Sequence, residues 1–300
     1  MERYYNFGGE GVIAAAAAGA LMVLEVNAPV IDYPGSTKSR LDRVMLVEPM
    51  RRWRDWQCRR AHLFVTPSAA ILPAWVDTDR VLRSEWGADT ARFTPDARGD
   101  VPFRRESGDT VAIFAGAFRP WHGAVHLVRA IAELRLRGRR DIKAVFVGDG
   151  PELPRVRRAA AGVDGIVFTG ALSHDRMPAC LAAADIGVAP FDLAAHGPLR
   201  LDFYWSPLKL FEYMAAGLPV VAPNVRRMTE LVQHEREGFV YDAADSHALP
   251  NAIERLADAP NRLAMGRAAR QRAADEYGWD VHCRKLADAL VRARERMAVV

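Results

Sequence analysis

The chain has 300 residues, half of them hydrophobic and 26% charged, enough to build one large core or two medium ones and too apolar for a disordered chain. Its 41 Lys and Arg against 37 Asp and Glu leave a net charge of +4. That excess suits an anionic small ligand or an anionic membrane surface; it is too mild for a nucleic-acid protein, and no aromatic–basic module of that kind occurs.

Residues 12–24, VIAAAAAGALMVL, are apolar but too few to span a bilayer. Glu2, Arg3 and Glu10 deny them the basic flank of a signal peptide. They read as an alanine-rich helix stopped at Gly19, then a strand over residues 20–26. A loop with Pro29, Pro34 and Gly35 follows, then a basic helix from about Ser39 to Arg60 that carries Trp53 and Trp56. Residues 62–68, HLFVTPS, predict a buried strand. Two helices are expected near Ala69–Val76 and Asp79–Trp86. The charged, Gly- and Pro-containing stretch 97–109 reads as a linker.

A regular alternation then begins. Strands are expected at 110–118, 143–150, 165–170, 185–191, 218–223 and 238–242. Helices lie between them, at 123–138, 152–161, from an N-cap at Ser173 to about Ala184, from Ser206-Pro207 to Gly217, and at Met228–His234. Residues 246–300 read as helical, with breaks at Pro260 and Gly278. Apolar strands without strict alternation, separated by helices, predict a doubly wound α/β domain with six parallel strands. Ligands of such sheets bind beyond the carboxyl ends of the strands, so function is expected in the loops after 118, 148, 170, 191 and 205. The distant cysteines Cys58, Cys180 and Cys283 support neither a disulfide frame nor a zinc site, and point to a reducing cytoplasm.

The most informative stretch is YWSPLKLFEYMAAGLPVVA, residues 204–222. Ser206 as N-cap, Pro207 at the first helical position and Leu208 after it would present free backbone amides to an anion. Lys209 adds a full charge within the first turn. Glu212, three residues on and on the same face, can accept bonds from two neighbouring hydroxyls. Phosphate at the helix start and a diol one turn deeper describe a nucleoside diphosphate. On these residues alone, a capped helix with a surface Lys–Glu pair remains the other reading.

Five ordered segments resemble the retaining family-4 glycosyltransferases of the GT-B fold: FAGAFRPWHG (114–123), VFVGDGPELPRV (145–156), VFTGALSHDRMPACLAAADIGVAPF (167–191), SPLKLFEYMAAGLPVVAP (206–223) and TELVQHEREGFVYDAAD (229–245). LEVNAP (24–29) and EWGADTARFTP (85–95) resemble the second half of that family's acceptor domain. The resemblance implies that Glu212 holds the nucleotide ribose as the second Glu of the family's paired-Glu motif. The first Glu falls at Tyr204, which puts the usual sugar contact in doubt. Lys209 and the amides near Ser206 then grip the diphosphate. In the loop after the first strand, the family's Arg and Lys positions hold Ala117 and His122, so Arg119, with His122, is expected to take the phosphate role. Gly116, Gly148, Asp149 and Gly170 are expected to bring backbone close to the nucleotide. Trp121 is either packing or a ligand contact.

The expected organisation is an incomplete acceptor-side Rossmann-like domain at 1–97, a nucleotide-sugar-binding domain at 98–275, and a C-terminal helix at 276–300 crossing back to the first domain. ERYYNFGGEGVI, at the start, resembles a helix midway through the acceptor domain, so the chain reads as lacking earlier strand–helix units, with impaired activity. The implied function is sugar transfer, with retention, from a nucleotide-diphosphate sugar to a glycan or lipid-linked acceptor. Lys209 and Arg119 would stabilise the leaving diphosphate, and no metal or cofactor is called for. A cytoplasmic protein with peripheral membrane contact through the Arg- and Trp-bearing helix fits the charge. A non-catalytic nucleotide-sugar-binding fragment and a GT-B-like nucleotide-sugar epimerase stay open as alternatives.

Overall fold

The computed structural model describes residues 1–31, 40, 44, 48–197, 201 and 203–299. It divides into two units: Met1–Trp86, Gly197–Ser206 and Trp279–Val300 form the first, and Gly87–His196 and Pro207–Gly278 the second.

The first unit holds four parallel strands side by side in chain order: β1 (Glu2–Arg3), β2 (Val23–Glu25), β3 (Leu63–Thr66) and β4 (Val81–Arg83). Side chains alternate across the sheet, so both faces need cover. Leu24 and Phe64 face a core with Val12 and Ile71. Val23, Leu63 and Val65 face Ala289 and Ala293 of the long helix Trp279–Val299. The alanine-rich helix spans Glu10–Ala17 and ends as expected near Gly19, whose φ of 60° suits a residue without Cβ. Three expectations fail here. The first residues of ERYY form β1, paired with β2, where a helix was expected. The helix expected near Ala69–Val76 is only a 3-10 turn at Ala69–Ile71. The helix expected at Asp79–Trp86 is a 3-10 turn at Thr78–Arg80 followed by β4, because Val81, Leu82 and Arg83 pair with Phe64, Val65 and Thr66; long-range pairing outweighs a weak local preference. The basic helix is described over Glu48–Arg60; its expected start near Ser39 and the loop residues Pro34 and Gly35 lie outside the described residues.

The second unit holds six parallel strands: β5 (Thr110–Ala115), β6 (Ile142–Val147), β7 (Ile166–Gly170), β8 (Ile186–Val188), β9 (Val220–Pro223) and β10 (Gly238–Tyr241). Their spatial order is β10-β9-β8-β5-β6-β7. This is the doubly wound sheet read from the alternation. The winding reverses between β5 and β8, and a crevice forms at the carboxyl ends of two such neighbours. Phe114 and Phe146 of the sheet pack with Ile131 and Leu134 of helix Ala124–Leu136 and Ile253 of helix Ala248–Asp258. The expected breaks appear: Ala248–Asp258, Arg262–Glu276 and Trp279–Val299 are separate helices. Ser173 is not an N-cap. Residues 173–176 form a turn, with Arg176 N–H donating to the Ser173 carbonyl, and the helix is Met177–Ala182. Pro178 sets that start, since its missing N–H is tolerated only in a first turn. The expected helix Met228–His234 is displaced to Arg226–Leu231. No described helix is long and apolar enough to cross a membrane.

Candidate functional site

Three glycines stack the strand ends of the second unit. Gly116 N–H donates to the Val147 carbonyl at 2.9 Å, and Gly148 N–H to the Gly170 carbonyl at 2.9 Å. Gly148 has φ of +129°, and a Cβ there would stand 2.0 Å from the Gly116 carbonyl oxygen. Only glycine permits that approach. Asp149 continues the lattice: its carbonyl accepts from Phe118 N–H at 2.9 Å, while its carboxylate faces solvent apart from one bond to Gly150 N–H. The loop after β5 is thus fixed by backbone bonds and by the buried Phe118 ring. Arg119 is exposed there.

Beyond Arg119, Pro120–His122 form a 3-10 turn that Gly123 ends. A Cβ on Gly123 would meet the Pro190 carbonyl oxygen at 1.8 Å, so the loop after β8 lies directly against the turn. His122 Nδ1 bonds the Ala117 carbonyl. Burial, with Lys209 and Arg119 adding to it, pushes the His122 imidazole down to about 4. The ring is neutral near pH 7 and commits one nitrogen to a carbonyl, which closes the turn. The Trp121 ring packs at a tilt against His196, 4.6 Å between ring centroids.

The helix of the signature stretch is Leu208–Ala215. Pro207 occupies the N-cap position and no side chain caps the helix. This corrects the expected start. The Ser206 hydroxyl instead accepts from Trp86 N–H at 2.9 Å and donates to the Glu85 carboxylate at 2.8 Å. Two partners from far upstream outcompete a local cap. Tyr204 is buried at 6% exposure in the core of the first unit, with the Trp205 ring 5.1 Å away. The structure therefore assigns Tyr204 and Ser206 to the first unit. Leu208, Lys209, Glu212, Gly116, Arg119, His122, Gly148, Asp149 and Gly170 all belong to the second.

Lys209 is the unusual group. Its ammonium is enclosed and has no hydrogen-bond partner among the described residues. It sits 4.3 Å from the Phe114 ring centroid and 5.4 Å from that of Phe191, cation–π contacts that replace only part of its lost hydration. A Cβ built on Gly116 would lie 3.1 Å from Nζ. The ammonium therefore lies at the mouth of the β5 loop, beside the strand switch. Burial drives its pKa down to about 7, and Glu212 opposes that fall. Burial drives Glu212 up to about 7, opposed by Lys209. An anion arriving beside Nζ would recharge the lysine, and hydroxyls donating to Glu212 would favour its ionised form.

Sequence reading missed the fittings around this lysine. Ala115 N–H donates to the Tyr213 hydroxyl at 2.7 Å, pinning the helix to the end of β5. The Tyr213 ring occupies space that Gly187 leaves open, since a Cβ there would be 2.5 Å from the ring. The one available signal was Gly187 itself, because a glycine inside a strand marks close approach of another group.

Residues 109–259 match the family model described as "Glycosyl transferases group 1". The chain is 34% identical over 211 residues to a GDP-mannose-dependent alpha-(1-6)-phosphatidylinositol monomannoside mannosyltransferase of Mycobacterium tuberculosis, covering 68% of this chain and 54% of that protein. It is also 34% identical over 236 residues to the like-named protein of Mycolicibacterium smegmatis, covering 76% of this chain and 58% of that one. The chain thus spans little more than half the length of these relatives. Among solved structures, Anabaena Alr3699/HepE in complex with UDP and glucose matches with a TM-score of 0.68 at 20% identity, over 94% of this chain and 74% of that one. Sucrose-phosphate synthase from Thermosynechococcus elongatus matches with 0.64 at 18% identity, over 96% and 76%. These likenesses show a GT-B fold. With half its length matched by the family model and two thirds of it aligned to the mannosyltransferases at 34% identity, the chain belongs to the group 1 glycosyl transferases.

Proposed function

We propose that this chain holds a nucleoside-diphosphate sugar and serves a glycosyltransferase that moves the sugar, with retention of anomeric configuration, to a glycan or lipid-linked acceptor. One observation carries the reading: a buried ammonium without a hydrogen-bond partner among the described residues, Lys209, beside the Gly116 loop, with Glu212 one turn behind it. An unsatisfied buried cation costs stability and is retained where a ligand satisfies it. The diphosphate lies against Lys209, the first amides of helix Leu208–Ala215 and the exposed Arg119. The ribose hydroxyls donate to Glu212. As the bond from sugar to diphosphate lengthens, negative charge builds on the leaving phosphate, and Lys209 and Arg119 meet it from fixed positions. The reading calls for no metal. The names of the relatives, GDP-mannose-dependent and acting on a phosphatidylinositol monomannoside, and the UDP and glucose of the Anabaena complex support a nucleotide-sugar donor.

The basic helix supports peripheral contact with the inner face of a membrane. Trp53, 37% exposed, stacks on Trp56 at 4.5 Å, and Arg51, Arg52, Arg59 and Arg60 lie along the same helix. A second reading, donor binding without transfer, draws on Tyr204, a buried aromatic where the family carries an acid. Product formation against donor binding alone separates the two.

The test is a thermal-shift and calorimetric screen of UDP, GDP, ADP and their sugars. One nucleotide series should raise the unfolding midpoint; at a hundredfold excess over Kd the stabilisation is about 2.7 kcal/mol. Lys209→Ala and Glu212→Ala should cut the response by about half or more, as a tenfold or greater loss of affinity requires. No response to any of them, or a response unchanged in both variants, refutes the reading.

A further inference from the structure

Outside the Lys209 site, the second unit carries a cavity of about 570 Å³, within the range of small-molecule sites. It opens beyond the carboxyl ends of β8 and β10. Phe191 lines it and also faces Lys209, so that ring is the partition between the two sites.

Most of the charged groups around this cavity already have partners. The Asp192 carboxylate accepts from Ala194 and Ala195 N–H at Oδ1 and has His126 Nε2 3.2 Å from Oδ2, which keeps one free lone pair. Glu133 is held by Arg137 and by His247, the latter at 2.8 Å. What remains is one unpaired charge of each sign. The Arg129 side chain makes no hydrogen bond or ion pair with any described residue, and among them the Asp245 carboxylate accepts only from the His247 N–H. A phosphate would give Arg129 a partner but set a second anion against Asp245; a cation would pair with Asp245 but face Arg129. A neutral ligand with many hydroxyls meets neither objection. Its hydroxyls can donate to Asp192 and Asp245 and accept from Arg129, while its C–H faces lie on Leu193, Leu249 and Tyr241.

We infer that this cavity is a second carbohydrate site, for a neutral mono- or disaccharide unit of a glycan, separate from the nucleotide site across Phe191. The inference stands on the cavity's own chemistry and does not need the donor reading to hold.

Saturation-transfer NMR on the full chain tests it, using neutral methyl glycosides, disaccharides and myo-inositol with UDP or GDP present in excess. Transfer to at least one saccharide is expected. It should fall at least fivefold in Leu193→Trp, which fills the cavity, and in Arg129→Ala, and persist in Lys209→Ala. Thermal midpoints near that of the wild type certify folding; if Leu193→Trp fails there, Arg129→Ala decides. No transfer from any saccharide, transfer that survives the decisive variant, or transfer lost in Lys209→Ala overturns the inference. In the last case the sugar occupies the nucleotide site.

Discussion

Replacing Lys209 by Met should make the unliganded protein more stable while disabling it. An ammonium pushed from its ordinary 10.5 to about 7 by burial costs about 4 kcal/mol at pH 7, at 1.36 kcal/mol per pH unit. Methionine fills similar volume against Phe114 and Phe191 without charge. Some of the gain is lost because Glu212 forfeits the cation that holds its own pKa down, leaving a net stabilisation of about 2–3 kcal/mol. The sign follows from a lowered folded pKa. The unfolded chain binds the extra proton between about 7 and 10.5, so the stability associated with Lys209 is fully present above 10.5 and is lost as pH falls through 7. Urea unfolding of both proteins from pH 6.5 to 10 should show the largest gap at the acid end and convergence at the alkaline end. Nucleotide affinity, by calorimetry, should fall about ten- to hundredfold, the worth of one charge-assisted bond. A variant no more stable than the wild type at pH 7, or a gap that ignores pH, refutes the burial argument.

Glu212→Gln should stabilise in the opposite window. The raised carboxyl contributes stability that is present below 4.5 and lost as pH rises through about 7, so the variant gains above pH 7 and not at pH 4.5; the same urea series reads it. Nucleotide binding at pH 8 should draw a proton from buffer as Lys209 recharges, seen as a dependence of calorimetric heat on buffer ionisation enthalpy; buffer-independent heat at that pH contradicts the assignment. Gly148→Ala should cost about 2–4 kcal/mol and abolish nucleotide binding, since it adds a clash at 2.0 Å to a φ of +129°; an unchanged unfolding midpoint would show that the strand ends can part. Ser206→Ala should lower stability by about 1–2 kcal/mol, by stripping a partner from Trp86 N–H and Glu85, and leave nucleotide affinity unchanged; a large affinity loss would restore Ser206 to the phosphate site.

The second sheet was legible because buried parallel strands announce themselves as unbroken apolar runs, such as TVAIFA and KAVFV, fenced by helices. β4 was not, because three residues become a strand only when β3 offers an edge, and nothing local says so. Lys209 and Glu212 could be paired from their spacing on one helix turn. The capture of Ser206 by partners 120 and 121 positions upstream could not be seen, since a hydroxyl satisfies whichever donor or acceptor the fold brings nearest. Nor could the burial of Nζ between two phenylalanine rings, which turns an ordinary surface cation into one titrating near neutrality. His122 shows the same effect: burial lowers it as well, and a side chain expected to offer charge is neutral near pH 7.

The bond from the Ala115 amide to the Tyr213 phenol has a mechanical corollary. It welds the lysine-bearing helix to the central strand, with Gly187 as the recess that lets the two seat. A ligand tugging on Lys209 therefore pulls on the whole sheet, not on a hinged arm. Adaptation to different nucleotides would then fall to exposed residues at the rim of the site, which can be exchanged without disturbing the frame.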